Sequence, residues 1–163
     1  MRIETWCGYD IRFVEIDGEW YAILKDICDV LDLRTDSVSQ RLDPSMVERV
    51  RVNVSDHNST GASSRARKTR DMLAVNEIGI YEALFASRRL EARKFRRWSA
   101  EVMKKLRSKV GLAGYEVMKM TEPDTQDKID WILDSLYYDE ETGLVMQSVT
   151  VPGGDVDQIP FEG

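Results

Sequence analysis

An Asp17-Gly18 dipeptide lies between two β-rich runs, with Ile11, Phe13, Val14 and Ile16 before it and Trp20, Tyr21, Ile23 and Leu24 after it. No other feature restricts the fold as much. Both central residues of a type I′ turn need positive φ, which Asp-Gly accepts and most residue pairs do not. The segment therefore predicts an antiparallel hairpin, preceded by a short strand over 3–6 and a turn at Gly8. Immediately afterwards the hydrophobic period lengthens. Ile27, Val30 and Leu31 fall at helical spacing, with Asp26 and Asp29 on the other face and Asp26 near the positive end of the helix.

Asp32-Leu33-Arg34 reads as a turn, and Thr35 or Asp36 as the N-cap of a second short helix closing at Asp43-Pro44. Two short helices joined by a tight turn have the outline of a helix-turn-helix, an outline that plain helical pairs share. Residues 47–54 alternate apolar and polar as a half-buried strand does, and 71–75 form a second candidate strand. The connection between them is rich in Ser, Gly, Thr and Asn and ends in Arg65, Arg67, Lys68 and Arg70. This outlines an extended hairpin with a basic return limb. It is either a wing that reaches phosphates or a minor groove, or a solvated loop whose charges keep an edge strand soluble.

Asn76 is placed to cap a helix running to Ser87, Arg88-Arg89 marks a break, and a longer helix is expected over 91–110. On that helix Phe95, Trp98, Val102, Leu106 and Val110 form an apolar stripe, expected to face the core. Arg93, Arg96, Arg97, Lys104 and Arg107 gather on the opposite arc. Glu122-Pro123-Asp124 breaks the chain. Ile129, Trp131, Ile132, Leu133 and Leu136 then suggest an acidic amphipathic helix ending near Tyr137-Tyr138, with a marginally ordered stretch over 139–163. The expected class is α+β: small antiparallel β-hairpins packed with a helix-turn-helix-like pair and two longer helices, plus an acidic C-terminal tail. The division drawn from these signals is a module over 1–112 and a tail over 113–163.

Charge is segregated along the chain. Residues 65–119 carry 15 Lys/Arg against 6 Asp/Glu, whereas the whole chain has a formal charge of −6. Residues 1–64 hold 7 basic and 12 acidic side chains, and 120–163 hold 1 and 11. A polyanion is attracted by a local surface rather than by the molecular average, so the charge map points to nucleic acid where the average does not. The arc on the 91–110 helix is nearly of one sign, with Glu101 its one acidic neighbour, and i,i+4 pairs do little to offset the repulsion.

Several classes are disfavoured. The single histidine, His57, sits in a polar stretch that offers no rigid support for a Ser/His or Cys/His relay. One His and two distant Cys do not suggest a zinc site, and neither GxGxxG nor GxxxxGK[ST] occurs. No enzyme activity, metal or cofactor is expected. Cys7 and Cys28 fit buried or half-buried thiols in a reducing compartment, and no apolar run is long enough to span a bilayer. The expected location is the cytoplasm of a bacterial host cell.

Two stretches, 20–31 (WYAILKDICDVL) and 76–107 (NEIGIYEALFASRRLEARKFRRWSAEVMKKLR), resemble the Bro-type N-terminal domain of phage antirepressors and large-DNA-virus proteins. Asn76, Glu77, Gly79, Tyr81, Ser87, Arg88, Phe95, Trp98, Glu101 and Val102 are in register with that pattern, and the likeness covers residues 1 to about 112. It departs in lacking a proline-centred apolar run after the last helix and the larger second domain of many antirepressors. The resemblance implies an α+β module that binds double-stranded DNA, with a phage repressor as a possible protein partner. In that setting Ser37, Gln40 and Arg41 would meet base edges, Gln suiting adenine and Arg guanine. Arg65, Arg67, Lys68 and Arg70, with Arg93, Arg96, Arg97, Lys104 and Arg107, would hold phosphates. The alternative is a protein-interaction module that antagonises a repressor without DNA, with Trp131, Tyr137, Tyr138 and Phe161 as anchors. A homo-oligomer is compatible with either.

Overall fold

The computed structural model describes residues 1–54, 68–150 and 156–160. Its elements are mixed α+β, and the chain divides into two compact units, Met1–Trp98 and Ser99–Gly163.

The first unit is built on an antiparallel sheet of β1 (Arg2–Trp6), β2 (Tyr9–Ile16), β3 (Glu19–Ile23), β4 (Val47–Val54) and β5 (Lys68–Val75), in the order β1-β2-β3-β5-β4. The expected turn is present, with φ of 52° at Asp17 and 84° at Gly18. Cys7 and Gly8 repeat it between β1 and β2, at 51° and 81°. The β3–β5 seam is only two register pairs long, Ala22↔Val75 and Ile23↔Ala74, and all four side chains are fully buried. Alternation puts Ala22 and Val75 on one face, in the main core with α1 (Leu24–Leu31) and Ala83 of α3 (Glu77–Ala86). Ile23 and Ala74 point the other way, into a smaller core with Tyr21 and Val52. One short seam therefore anchors two hydrophobic clusters.

Helix α1 begins where β3 ends, and Leu24, Ile27, Cys28, Val30 and Leu31 are buried. It stops at Asp32, which takes the left-handed conformation at φ 55°. Helix α2 is shorter than the sequence suggests. It spans Thr35–Ser39, so Gln40 and Arg41 lie past its end, and the chain continues through turns that return Arg41 N–H and Leu42 N–H to the Val38 carbonyl. Val38 and Leu42, one turn apart, are buried, and the chain becomes extended at Asp43, which caps the 3-10 turn that starts at Pro44. Strand β5 begins at Lys68, three residues before the expected 71.

Asn76 caps α3 by accepting from the Gly79 N–H at 3.0 Å, and its own N–H reaches the Met46 carbonyl. Gly79 sits close against its neighbours. A Cβ there would lie 3.0 Å from Cβ of Val75 and 3.5 Å from Cβ of Met46. Helix α4 (Leu90–Lys109) then spans twenty residues, with Ala92 its single buried side chain. The expected core stripe is a different surface. Trp98 is 62% exposed, and Phe95, Val102, Leu106 and Val110 are half-buried. The helical period was right, but among the described residues Trp98 is left largely uncovered.

In the second unit, a 3-10 turn (Gly114–Thr121) leads to α5 (Pro123–Asp134), with Pro123 at its first position. The helix stops at Asp134 rather than near Tyr137-Tyr138. Those tyrosines lie on β6 (Leu136–Asp139), which pairs with β7 (Leu144–Thr150), itself paired with β8 (Val156–Pro160). The Asp139 carboxylate builds the connecting turn by accepting from Thr142 Oγ1 at 2.7 Å and Glu141 N–H at 3.2 Å, and Gly143 supplies φ of 67°. Aromatic and β-branched residues on both sides of such a turn favour a hairpin over a continued helix.

Candidate nucleic-acid interface

The basic residues separate into two groups by what their side chains already touch. Arg93, Arg97 and Lys104 are exposed, and no side-chain hydrogen bond or ion pair forms on them among the described residues. At about 100° per residue they fall within one narrow arc of α4. Arg88 and Lys94 are likewise exposed and unpaired among the described residues. The sequence reading did not give them a site role, although the charge count of the same segment includes them.

Arg96 and Arg107 are committed to carbonyls. The Arg96 guanidinium donates to Phe85 O at 2.7 Å and Ser87 O at 2.5 Å, serving the chain that leaves α3. Arg107 donates to the Leu112 carbonyl beyond the end of α4. Arg70 is exposed on β5, opposite Val52. Lys68 begins that strand opposite Val54, and Arg65 and Arg67 lie outside the described residues. On the same hairpin Arg51 is matched by Asp71 at 3.1 Å. In the second helix Ser37 is half-buried, while Gln40 and Arg41 are exposed beyond the helix, with Arg41 Nε reaching the Ser37 carbonyl at 3.3 Å.

Acidic residues of α1 are largely neutralised. Asp26 receives a forked pair from Arg12, at 2.8 and 2.7 Å, and also accepts the Arg12 backbone N–H at 3.0 Å. This pairing, led by the side-chain hydrogen bond, raises the Arg12 pKa further. Asp29 is held by Lys25 at 2.9 Å one turn earlier. Their repulsion toward a phosphate backbone is correspondingly reduced.

The corner between α3 and α4 fixes where α4 starts. Ser87 is fully buried, and its hydroxyl donates to the Leu31 carbonyl at 2.8 Å while accepting the Arg89 N–H at 3.2 Å. The Arg89 side chain donates to the Val30 carbonyl, pairs with Glu91 at 3.6 Å and lies over the Tyr9 ring at 5.7 Å. Two carbonyls left unpaired at the end of α1 are thus satisfied by residues more than fifty positions away. Beyond the corner, Phe95 stacks against Tyr81 and Phe85, with centroids 6.1 and 6.0 Å apart, and Trp98 follows at 5.9 Å. The Tyr81 hydroxyl donates to Glu77, which holds the ring in this row and pushes its pKa up.

Of the expected partner anchors, Trp131 is 71% and Tyr138 64% exposed, whereas Tyr137 is half-buried and Phe161 lies outside the described residues. Among the described residues no group of three metal-ligating side chains occurs, and no helix is long and apolar enough to cross a membrane.

A small antiparallel sheet, a short helical pair and a long cation-bearing helix make up an α+β module. The family model of the BRO family N-terminal domain matches residues 10–105, more than half of the 163-residue chain, and the chain belongs to that family. No curated protein and no solved structure matches it significantly. Residues shared with the family pattern have physical roles here: Asn76 caps, Gly79 permits close packing, Ser87 closes the corner and Phe95 centres the aromatic row.

Proposed function

We propose that this chain is a phage- or prophage-type transcriptional regulator of the antirepressor kind that binds duplex DNA through a basic surface. The carrying observation is that Arg93, Arg97 and Lys104 are exposed, share one arc of α4 and have no neutralising partner among the described residues. Such cations gain by releasing counterions from a phosphate backbone. Arg70, with Lys68, Arg65 and Arg67 of the same basic run, would extend the contact along the β4–β5 hairpin, and the module over 1–112 would be the binding unit. Gln40, Arg41 and Ser37 would read base edges from the end of α2 rather than from a long recognition helix. Arg96 and Arg107 contribute field more than contact, since their guanidinium groups hold carbonyls.

Titration of the full chain against a duplex at two salt concentrations tests this reading. With roughly five phosphate contacts, affinity should fall several hundred-fold between about 50 and 200 mM salt. Arg97→Ala should weaken binding and leave the melting temperature nearly unchanged. A flat salt response, or no binding at low salt, would sink the proposal. A second reading, a module that antagonises a repressor protein without DNA, draws support from the exposed Trp131 and Tyr138. It predicts capture of a repressor by a chain whose α4 cations have been replaced.

A further inference from the structure

The first unit contains an apolar cleft of about 570 Å³ between the β1–β2 hairpin and the helices α1, α3 and α4. Trp6, Phe13, Ile80, Leu84 and Phe95 form its walls, over a floor of core side chains. The charges at its rim are unequal. Glu91 is paired with Arg89 and Glu4 with Arg2, whereas Lys94 has no partner among the described residues. The cleft is therefore an apolar pocket with an unspent cation at its edge. Nothing in the DNA-binding reading uses it.

The second unit carries a surface of opposite character. Helix α5 buries Thr125 and Ile129 and leaves Trp131 71% exposed on its other side. Helical spacing puts Asp124, Asp127 and Asp134 around that indole with Lys128 among them, an acidic balance, and none of the three aspartates has an ion-pair partner among the described residues. An exposed indole within a polar ring is the usual make-up of an interface anchor. Leaving both surfaces in water forgoes the burial of an indole and of an aromatic-walled pocket.

We propose that two copies of this chain associate by reciprocal exchange, Trp131 of each copy entering the apolar cleft of the other while the α5 aspartates face Lys94. The occupant is a second copy because the chain itself supplies an anchor matched to the cleft in both polarity and charge. A face-to-face meeting of two clefts would instead oppose Lys94 with Lys94. Reciprocal exchange gives two identical contacts about a two-fold axis, so the assembly closes at a dimer and does not grow into a filament. The contact does not depend on DNA binding.

Sedimentation equilibrium of the full chain, without DNA, over about 1 to 100 µM at low and high salt tests it. A reversible dimer, weakened by salt, is expected. Trp131→Ala should raise the dissociation constant about thirty-fold or more, as loss of an anchor does. Lys94→Glu should weaken the dimer at low salt, and combining it with Asp127→Lys should restore it. Circular dichroism and thermal melting establish that each variant is folded. A monomer at the highest concentration and lowest salt overturns the proposal. So does a dimer indifferent to Trp131→Ala, open-ended assembly, or failure of the charge exchange to restore association in folded proteins.

Discussion

Helices α1 and α4 both show an apolar periodicity in sequence, yet the structure uses them in opposite ways. Five of the eight residues of α1 are buried, against one of the twenty in α4. The first sits on the main core, with Ala22, Val75 and Ala83 against it. The second keeps Ala92 inside and presents Trp98 and Met103 to solvent, at 62% and 49% exposure. An amphipathic pattern says which face of a helix can be covered. It does not say that a cover exists. Helix α4 keeps its apolar face partly open and leaves Arg93, Arg97 and Lys104 without a partner among the described residues, whereas the apolar face of α1 is covered by the core.

The largest expected effects follow from that contrast. Leu31→Ala should destabilise the protein by about 2 to 5 kcal/mol in chemical denaturation, because a fully packed side chain leaves a cavity. Trp98→Ala, despite the larger side chain, should cost no more than about 1.5 kcal/mol, the worth of an aromatic pair at an exposed site. Equal losses would show that Trp98 is covered in solution and that the contrast fails.

A smaller loss tests the corner that joins the two helices. Ser87→Ala should cost about 1 to 3 kcal/mol, since it removes the donor to the buried Leu31 carbonyl and the acceptor for Arg89. The equivalent change at Ser108, exposed on α4, should be close to neutral in the same melt. If Ser87→Ala were also neutral, the corner would not be what fixes the start of α4.

The smallest effect concerns pH and an exposed turn. The Ser45 hydroxyl and backbone N–H, at 2.6 and 2.9 Å, hold the Asp43 carboxyl below its ordinary range. Its stabilising contribution is therefore fully present above the usual carboxylate range and is lost as pH falls through the lowered value. Asp43→Asn should melt slightly below the parent at neutral pH, and the gap should close in acid. A gap that is constant with pH would mean the carboxylate charge plays no part.

Some of this was legible along the chain because it is local. Asp17-Gly18 dictates its turn through φ alone, Asn76 caps the helix immediately following it, and the long run of cations on α4 follows from the helical period. The ends of α2 and α5 were less legible. There the turns between Ser39 and the extended Asp43, and the hairpin turn built by Asp139, replace the expected helix.

The sequence by itself determined the α+β class, the first hairpins, the cap of α3 and the segregation of charge, all of which depend on neighbours within a turn or two. Only the tertiary structure decided that Ser87 and Arg89 close the end of α1, that Arg12 neutralises Asp26, and that Arg96 and Arg107 serve carbonyls while Arg93, Arg97 and Lys104 meet none among the described residues. The reason is physical. Whether a polar group or an aromatic ring is satisfied depends on what approaches it through space, and the groups closing the end of α1 lie 56 and 59 residues from the carbonyls they meet.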